Sequence, residues 1–468
     1  MPRHVLLVAY YFPPIAASGA MRPLAFCRFL PGAGWQPHVL SVDPASVVPP
    51  HPVDVQLGRK VPSEVRVDRV PHSNPLQTLL NWRNQIRSRI AAGSNASTLA
   101  GAAHAPTKGD GASEAAASVD AGTLADAKHL ALDWAFAFPD PQCHWLKPAL
   151  AAAKAWPRAA VPEVVYATGG PWTSLLVGQA LASYWQVPFV ADYRDPWSNN
   201  PYVSFRSELL NAKARKLETS VLQSADRIVA NTPELQAQLA KDYPALAHKL
   251  VTITNGYDPE SFSTTPQHHG IDKDAHGKGL EICHFGTVYG KRSPKVLLQT
   301  LLELQEAGRV SAERLRCRFV GAWDVDDAEC ERVAKQLEHA GMLRREPAIP
   351  YQACLQQMQA ADVLLVMQPD SPLQIPGKIY EYVATRRPLL LIGGEGATAN
   401  LVQRHRLGLA SPNRPAELRT LLLDVAEGRR SLSTPDPEQV ARFNYTQLTA
   451  QLAATLDDAS RAKLQRAS

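Results

Sequence analysis

The chain has 468 residues, of which 45% are hydrophobic and 20% charged, and a formal net charge of +5. That length exceeds one hydrophobic core and predicts two or three domains, and the composition is that of an ordinary globular protein, not a disordered or collagenous one. The modest charge, with no basic stripe interleaved with aromatics, argues against nucleic-acid binding while permitting contact with anionic lipid or a nucleotide.

From the N-terminus, apolar runs of strand length alternate with longer amphipathic stretches, the pattern of parallel sheets with crossover helices. The first series of strand candidates is 4–9, 37–42, 64–70, 163–168, 187–191, 226–230 and 250–254. The second is 280–285, 315–320, 362–367 and 388–392. The opening run is too short and too weakly charged in front for a secretory leader, and no stretch approaches about 18 uninterrupted apolar residues, so no spanning helix is expected. Polar residues 263–279 read as a linker. The expected organisation is a first α/β domain over 1–262, a second over 280–435, and a C-terminal segment 436–468 whose helix, from Asn444 to Leu456, returns to the first domain. Two open sheets joined in this way leave a crevice between the carboxyl ends of their strands, where such folds bind ligands. Six cysteines (Cys27, Cys143, Cys283, Cys317, Cys330, Cys354) are scattered without a Cys-x-x-Cys pair, which argues against a zinc site or disulfide framework and fits a reducing compartment, the cytoplasm.

Several segments in chain order carry chemistry. Tyr10 to Arg22, with Gly19 inside it, is a loop of small residues between the first strand and a helix, which a phosphate or sugar can approach closely. Residues 76–90 set Leu76, Leu79, Leu80, Trp82, Ile86 and Ile90 against Arg83, Arg87 and Arg89. This reads either as a helix on an anionic membrane surface or as one packed on its own domain. The stretch 91–128, nearly free of large apolar side chains, reads as a disordered surface insertion. Thr168 to Ser174 and Asp192-Tyr193-Arg194-Asp195-Pro196-Trp197 follow strands; the second gathers two carboxylates and an arginine, with a structural Asp–Arg pair as the competing reading. Cys283-His284-Phe285-Gly286-Thr287-Val288-Tyr289-Gly290-Lys291-Arg292-Ser293-Pro294 opens the second domain. Lys291 and Arg292 are expected at the start of the next helix, where cations are unfavourable unless an anion binds. Asp324 to Asp327 resembles a metal triplet, but helix capping is the simpler role and no metal is expected. Gly377-Lys378-Ile379-Tyr380-Glu381 places a lysine in the first turn of a short helix and a hydrogen-bond-accepting glutamate one turn on, a candidate clamp for a nucleotide diphosphate. Any α/β domain with a chance lysine offers the same pattern.

Taken together in order, the Tyr-Phe-Pro-Pro loop with Gly19 and Arg22, the Asp192–Trp197 segment, Ala225 to Val229, Asn255 to Asp258, Gly286 to Pro294 and Gly377 to Tyr382 resemble the retaining glycosyltransferases of family 4, in the branch associated with bacterial surface polysaccharides. The resemblance implies the GT-B fold, two Rossmann-like doubly wound α/β domains facing across a cleft. It implies transfer of a sugar from a nucleotide-diphosphate sugar to a saccharide or lipid-linked saccharide, with the nucleotide sugar as a substrate, no cofactor and no enzymic nucleophile. By it, Glu381 binds the ribose, and Arg292 or Lys291 together with Lys378 holds the diphosphate. Gly19 and Arg22 face the donor from the other domain. Gly286, Thr287, Tyr289, Gly377 and Ile379 line the donor; Asp192, Arg194 and Asp195 orient the acceptor or one another, with Asp195 the candidate catalytic carboxylate.

There are two departures. The family's glutamate eight residues before Glu381 is Leu373 here, with Gln374 next to it, and the arginine that often follows the phosphate-loop glycine is Thr287. The rival expectations are a nucleotide-sugar epimerase and a catalytically silent nucleotide-sugar-binding subunit of a polysaccharide-assembly complex. The expected location is cytoplasmic, with peripheral contact to the membrane face.

Overall fold

The computed structural model describes residues 3–73, 138–198, 200, 205, 207–262, 279–368 and 371–467. The amphipathic stretch 76–90, the insertion 91–128 and nearly all of the linker lie outside the described residues.

In the first half, strands β1 (Arg3–Val8), β2 (Trp35–Val42), β3 (Arg66–Val70), β4 (Val164–Gly169), β5 (Phe189–Tyr193), β6 (Arg227–Ala230) and β7 (Leu250–Thr252) form one parallel sheet in the order β3-β2-β1-β4-β5-β6-β7. The second half contributes β8 (Leu280–Phe285), β9 (Val288–Tyr289), β10 (Leu315–Val320), β11 (Trp323–Asp324), β12 (Leu343–Glu346), β13 (Val363–Gln368), β14 (Leu389–Gly393) and β15 (Gly408–Ser411). Six of these make a second parallel sheet in the order β12-β10-β8-β13-β14-β15, while β9 and β11 pair with each other beyond the ends of β8 and β10.

Both sheets are buried on both faces, as parallel sheets covered by crossover helices must be. Along β1, Leu6 and Val8 face one cluster and Val5 and Leu7 the other, the period-two alternation of a strand. The first of these clusters is closed by helices α2 (Leu146–Lys154), α3 (Thr173–Trp185), α4 (Glu208–Ser224) and α5 (Pro233–Asp242). The opposite face is closed by α1 (Ser18–Phe29) and by the C-terminal helix Tyr445–Ala467, which buries Leu448, Leu452 and Leu456 there. In the second domain α6 (Lys295–Glu306), α7 (Ala328–His339) and α11 (Pro415–Ala426) cover one face. Helices α8 (Tyr351–Ala360), α9 (Lys378–Ala384) and α10 (Ala397–Arg404) cover the other.

Four strands escape the sequence pattern for identifiable reasons. β9 and β11 are two residues each. β15 is four residues opened by a glycine, and β12 is Leu-Arg-Arg-Glu, an edge strand without apolar alternation. Ion pairs stand in for that alternation: Arg345 reaches Glu331 and Glu338 of α7, and Glu346 takes both arms of Arg318 from β10. No described helix is long and apolar enough to cross a membrane.

Candidate functional site

The C-terminal edge of the second sheet gathers most of the expected residues. Gly286 follows β8 with φ +143, a region open to glycine. Its N–H donates to Val320 O at 2.9 Å, and a Cβ added at Gly321 would lie 2.2 Å from Gly286 O, so the chains leaving β8 and β10 touch backbone to backbone. A Cβ at Gly286 would point into a space bordered by His284 Nε2 at 3.7 Å and by Lys378 Cδ and Nζ at 4.0 Å. Lys378 begins α9 and is exposed, as is Gly377 before it.

Arg292 lies six residues after Gly286 in the chain. Its guanidinium lies 5.5 Å over the ring of Tyr289, and its buried Nε has no hydrogen-bond partner among the described residues. It forms one wall of a cavity of about 540 Å³ at the ends of β13, β14 and β15, shared with Gln368, Gly393, Glu395, Asn413 and Arg414. Thr287 and Tyr289 are exposed beside it. The expectation that Lys291 and Arg292 open a helix is corrected: both lie in the 3-10 turn Gly290–Arg292, and α6 begins at Lys295. The dipole argument therefore does not apply to them, and the Lys291 side chain lies outside the described residues.

Glu381 sits one turn into α9. Tyr351 Oη donates to its Oε1 at 3.0 Å, while Oε2 is buried without a partner among the described residues. Burial raises this carboxyl above the ordinary glutamate range, and Lys378, the Tyr351 hydroxyl and Lys60 of the first domain oppose that rise. A carboxyl with one oxygen lacking a partner is suited to accept a hydrogen bond from a ligand hydroxyl. The side chain of Ile379 is not available to a ligand: it is buried in the core, and its N–H already bonds Pro376 O.

In the first domain the structure corrects three assignments. Arg22 and Asp192 are buried, and Arg22 Nε and Nη2 hold the carboxylate at 2.9 and 2.8 Å. Tyr166 Oη and Thr168 Oγ1 also donate to Asp192, at 2.6 and 2.7 Å, and Arg22 further bonds the carbonyls of Ile253 and Thr254. Burial disfavours the Arg22 charge, but Asp192 outweighs it and holds the guanidinium protonated. Both side chains are buried and committed to tying β5 to α1 and to the chain after β7. Arg194 likewise spends its guanidinium on the carbonyls of Gly169 and Gly19, both at 2.7 Å, and of Gly170. A Cβ at Gly19 would sit 2.8 Å from Arg194 Nη1, so the glycine is what lets the arginine bind the first loop.

Asp195 remains at the cleft. Its Oδ1 accepts from Gln374 Nε2 of the second domain at 2.6 Å. Nearby, Thr232 Oγ1 donates to Leu373 O at 2.8 Å and Asn400 Nδ2 to Glu234 Oε1 at 2.8 Å. The Leu373 side chain packs against the first domain's core. A leucine in place of the family's glutamate is thus an apolar contact between domains. Asp327 caps α7 through Cys330 N at 2.9 Å and pairs with Lys295 at 2.8 Å, and among the described residues no group of three or more His, Cys, Asp or Glu converges as a metal site.

Sequence reasoning missed His284 and Tyr351. His284 lies inside the segment that opens the second domain but carries no role there, while Tyr351 lies outside every segment singled out and meets Glu381 across 30 residues of chain, a contact that only the packing of α8 on α9 creates.

Comparison with known proteins places this geometry. Residues 110–261 match the sequence profile of Glycosyltransferase Family 4. The chain is 24% identical over 252 residues to D-inositol 3-phosphate glycosyltransferase 1 of Catenulispora acidiphila, a match covering 51% of this chain and 58% of the relative. The alignment thus spans little more than half of that relative's length. Among solved structures, sucrose-phosphate synthase from Thermosynechococcus elongatus superposes with a TM-score of 0.60 at 14% identity, covering 100% of both chains. Anabaena HepE in complex with UDP and glucose gives 0.57 at 13% identity, covering 98% of this chain and 100% of that one. The fold is GT-B, two parallel-sheet α/β domains across a cleft.

Proposed function

We propose that the chain is a glycosyltransferase that moves a sugar from a nucleotide-diphosphate sugar to a saccharide or lipid-linked saccharide. In this reading it acts with retention, without a metal or cofactor, and in cell-surface polysaccharide biosynthesis at the cytoplasmic face of the membrane. One observation carries the reading: Lys378 lies 4.0 Å from the open point above the side-chain-free Gly286, one turn of helix from a glutamate whose Oε2 lacks a partner among the described residues, and the charges of both Lys378 and Arg292 reach His284 two residues before that glycine. Two cations and an open acceptor at a strand edge match the diphosphate and ribose of a nucleotide. The Family 4 profile, the relatives named as glycosyltransferases and the UDP complex of a protein with the same fold support it.

The chemistry follows from charge. As the bond from the anomeric carbon to the diphosphate breaks, negative charge grows on the phosphate oxygens and positive charge on the sugar ring. Fixed cations at the phosphates favour that state over the ground state. Lys378 and Arg292 supply them, Glu381 orients the nucleotide through a ribose hydroxyl, and Asp195, on the facing domain, positions the acceptor. Lys291 is the second candidate for the diphosphate.

The test is a donor screen in the presence of EDTA, with UDP-, GDP- and dTDP-sugars and a membrane lipid extract, following nucleoside diphosphate release. Release from one donor that requires the extract supports the reading, and Lys378→Ala or Arg292→Ala should slow it by about 10²- to 10³-fold. A donor isomerised without extract makes the protein an epimerase. No donor consumed, with nucleotide still bound, makes it a silent binding subunit.

A further inference from the structure

His284 is the penultimate residue of β8, two residues before Gly286, and is buried, with 8% of its surface exposed. Its Nδ1 lies 3.0 Å from Leu365 O. A carbonyl only accepts, so Nδ1 carries the proton, and the neutral ring offers Nε2 as a lone-pair acceptor. That Nε2 has no partner among the described residues. A buried acceptor left unmade is costly, and the structure sets a donor close by: the point above Gly286 that is 3.7 Å from Nε2 is 4.0 Å from the Lys378 ammonium. Because position 286 carries no side chain, nothing stands in that space.

We propose that His284 is a positioning residue for Lys378: its Nε2 accepts one hydrogen bond from the ammonium and so aims the remaining N–H groups across Gly286 at the diphosphate. The inference rests on the transferase reading for the identity of the anion. An imidazole suits this task where a carboxylate would not, since it fixes the ammonium without cancelling the charge that binds phosphate. It also stays neutral, because burial, reinforced by Lys378 and Arg292, pushes its pKa down to about 4.

The experiment is a double-mutant cycle on UDP binding, measured by calorimetry on the full chain with folding checked by thermal unfolding. His284→Met, similar in size but without the ring acceptor, should weaken UDP about tenfold. His284→Gln, which restores an acceptor, should recover most of that loss. In a Lys378→Met background, His284→Met should change binding less than about twofold, because the group it positions is gone. An equal loss in both backgrounds, or none in either, overturns the proposal, since a merely structural histidine ignores Lys378. If the wild type binds neither UDP nor inorganic pyrophosphate, it is the transferase reading that fails. The ¹⁵N resonance of His284 Nε2 then decides the pairing by itself: it should move on Lys378→Met, and an unmoved resonance refutes it.

Discussion

At the scale of single residues, charge seen in sequence and charge available to a ligand turn out to be different things. Lys378, Glu381 and Gly286 were legible because their setting is local: a helix's first turn and a strand's end are defined by neighbours in the chain. Arg22, Asp192 and Arg194 looked alike in sequence, yet the first two are buried against each other and the third is committed to loop carbonyls. Nothing in a sequence reports that α1 crosses β5 at Arg22. The distinction is measurable. Arg22→Met leaves Asp192 buried without its countercharge and should destabilise the fold by about 3–5 kcal/mol, while the folded fraction keeps near-normal turnover. A large loss of turnover with an unchanged denaturation midpoint would instead make Arg22 a substrate contact.

Among elements, the strands that carry the two cores were the easiest to foresee and the polar edges the hardest. Val5 to Val8 and Val363 to Met367 announce themselves by apolar density; β12 is held by ion pairs whose partners lie on other elements, so no local pattern exists to read. The C-terminal helix was expected near Asn444 to Leu456, and it runs from Tyr445 to Ala467 with Leu452 and Leu456 fully buried against β1, β4 and α1. It is part of the first domain's core although the second domain precedes it in the chain. Leu452→Ala should therefore cost about 2–5 kcal/mol, and hydrogen exchange should accelerate in β1 and β4 more than in β13 and β14. Faster exchange confined to the second domain would contradict this packing.

For the whole molecule, the two domains meet through residues that are unremarkable in sequence: Gln374 on Asp195, Leu373 against the first core, Asn400 on Glu234. Their pairing depends on how the domains face one another, which no segment encodes alone. Titration is also a property of the whole. Burial pushes His72 and His284 down to about 4 and lowers His38. The unfolded chain takes up the His72 and His284 protons near pH 6.5 and the folded one only near pH 4, and His38 shifts in the same direction, so stability should fall as pH drops through that window. The buried carboxyls Asp140, Glu218 and Glu381 are raised and act in the opposite sense. Denaturation midpoints at successive pH values should show a shallower acid slope in His284→Met than in the wild type; an unchanged slope would mean that His284 protonates as freely folded as unfolded. The most direct test of the central claim is a crystal structure of the protein with UDP. The account predicts the diphosphate over Gly286 within hydrogen-bond reach of Lys378 and Arg292, and a ribose hydroxyl on Glu381 Oε2. A nucleotide bound elsewhere, with Glu381 Oε2 still unpartnered, would contradict it.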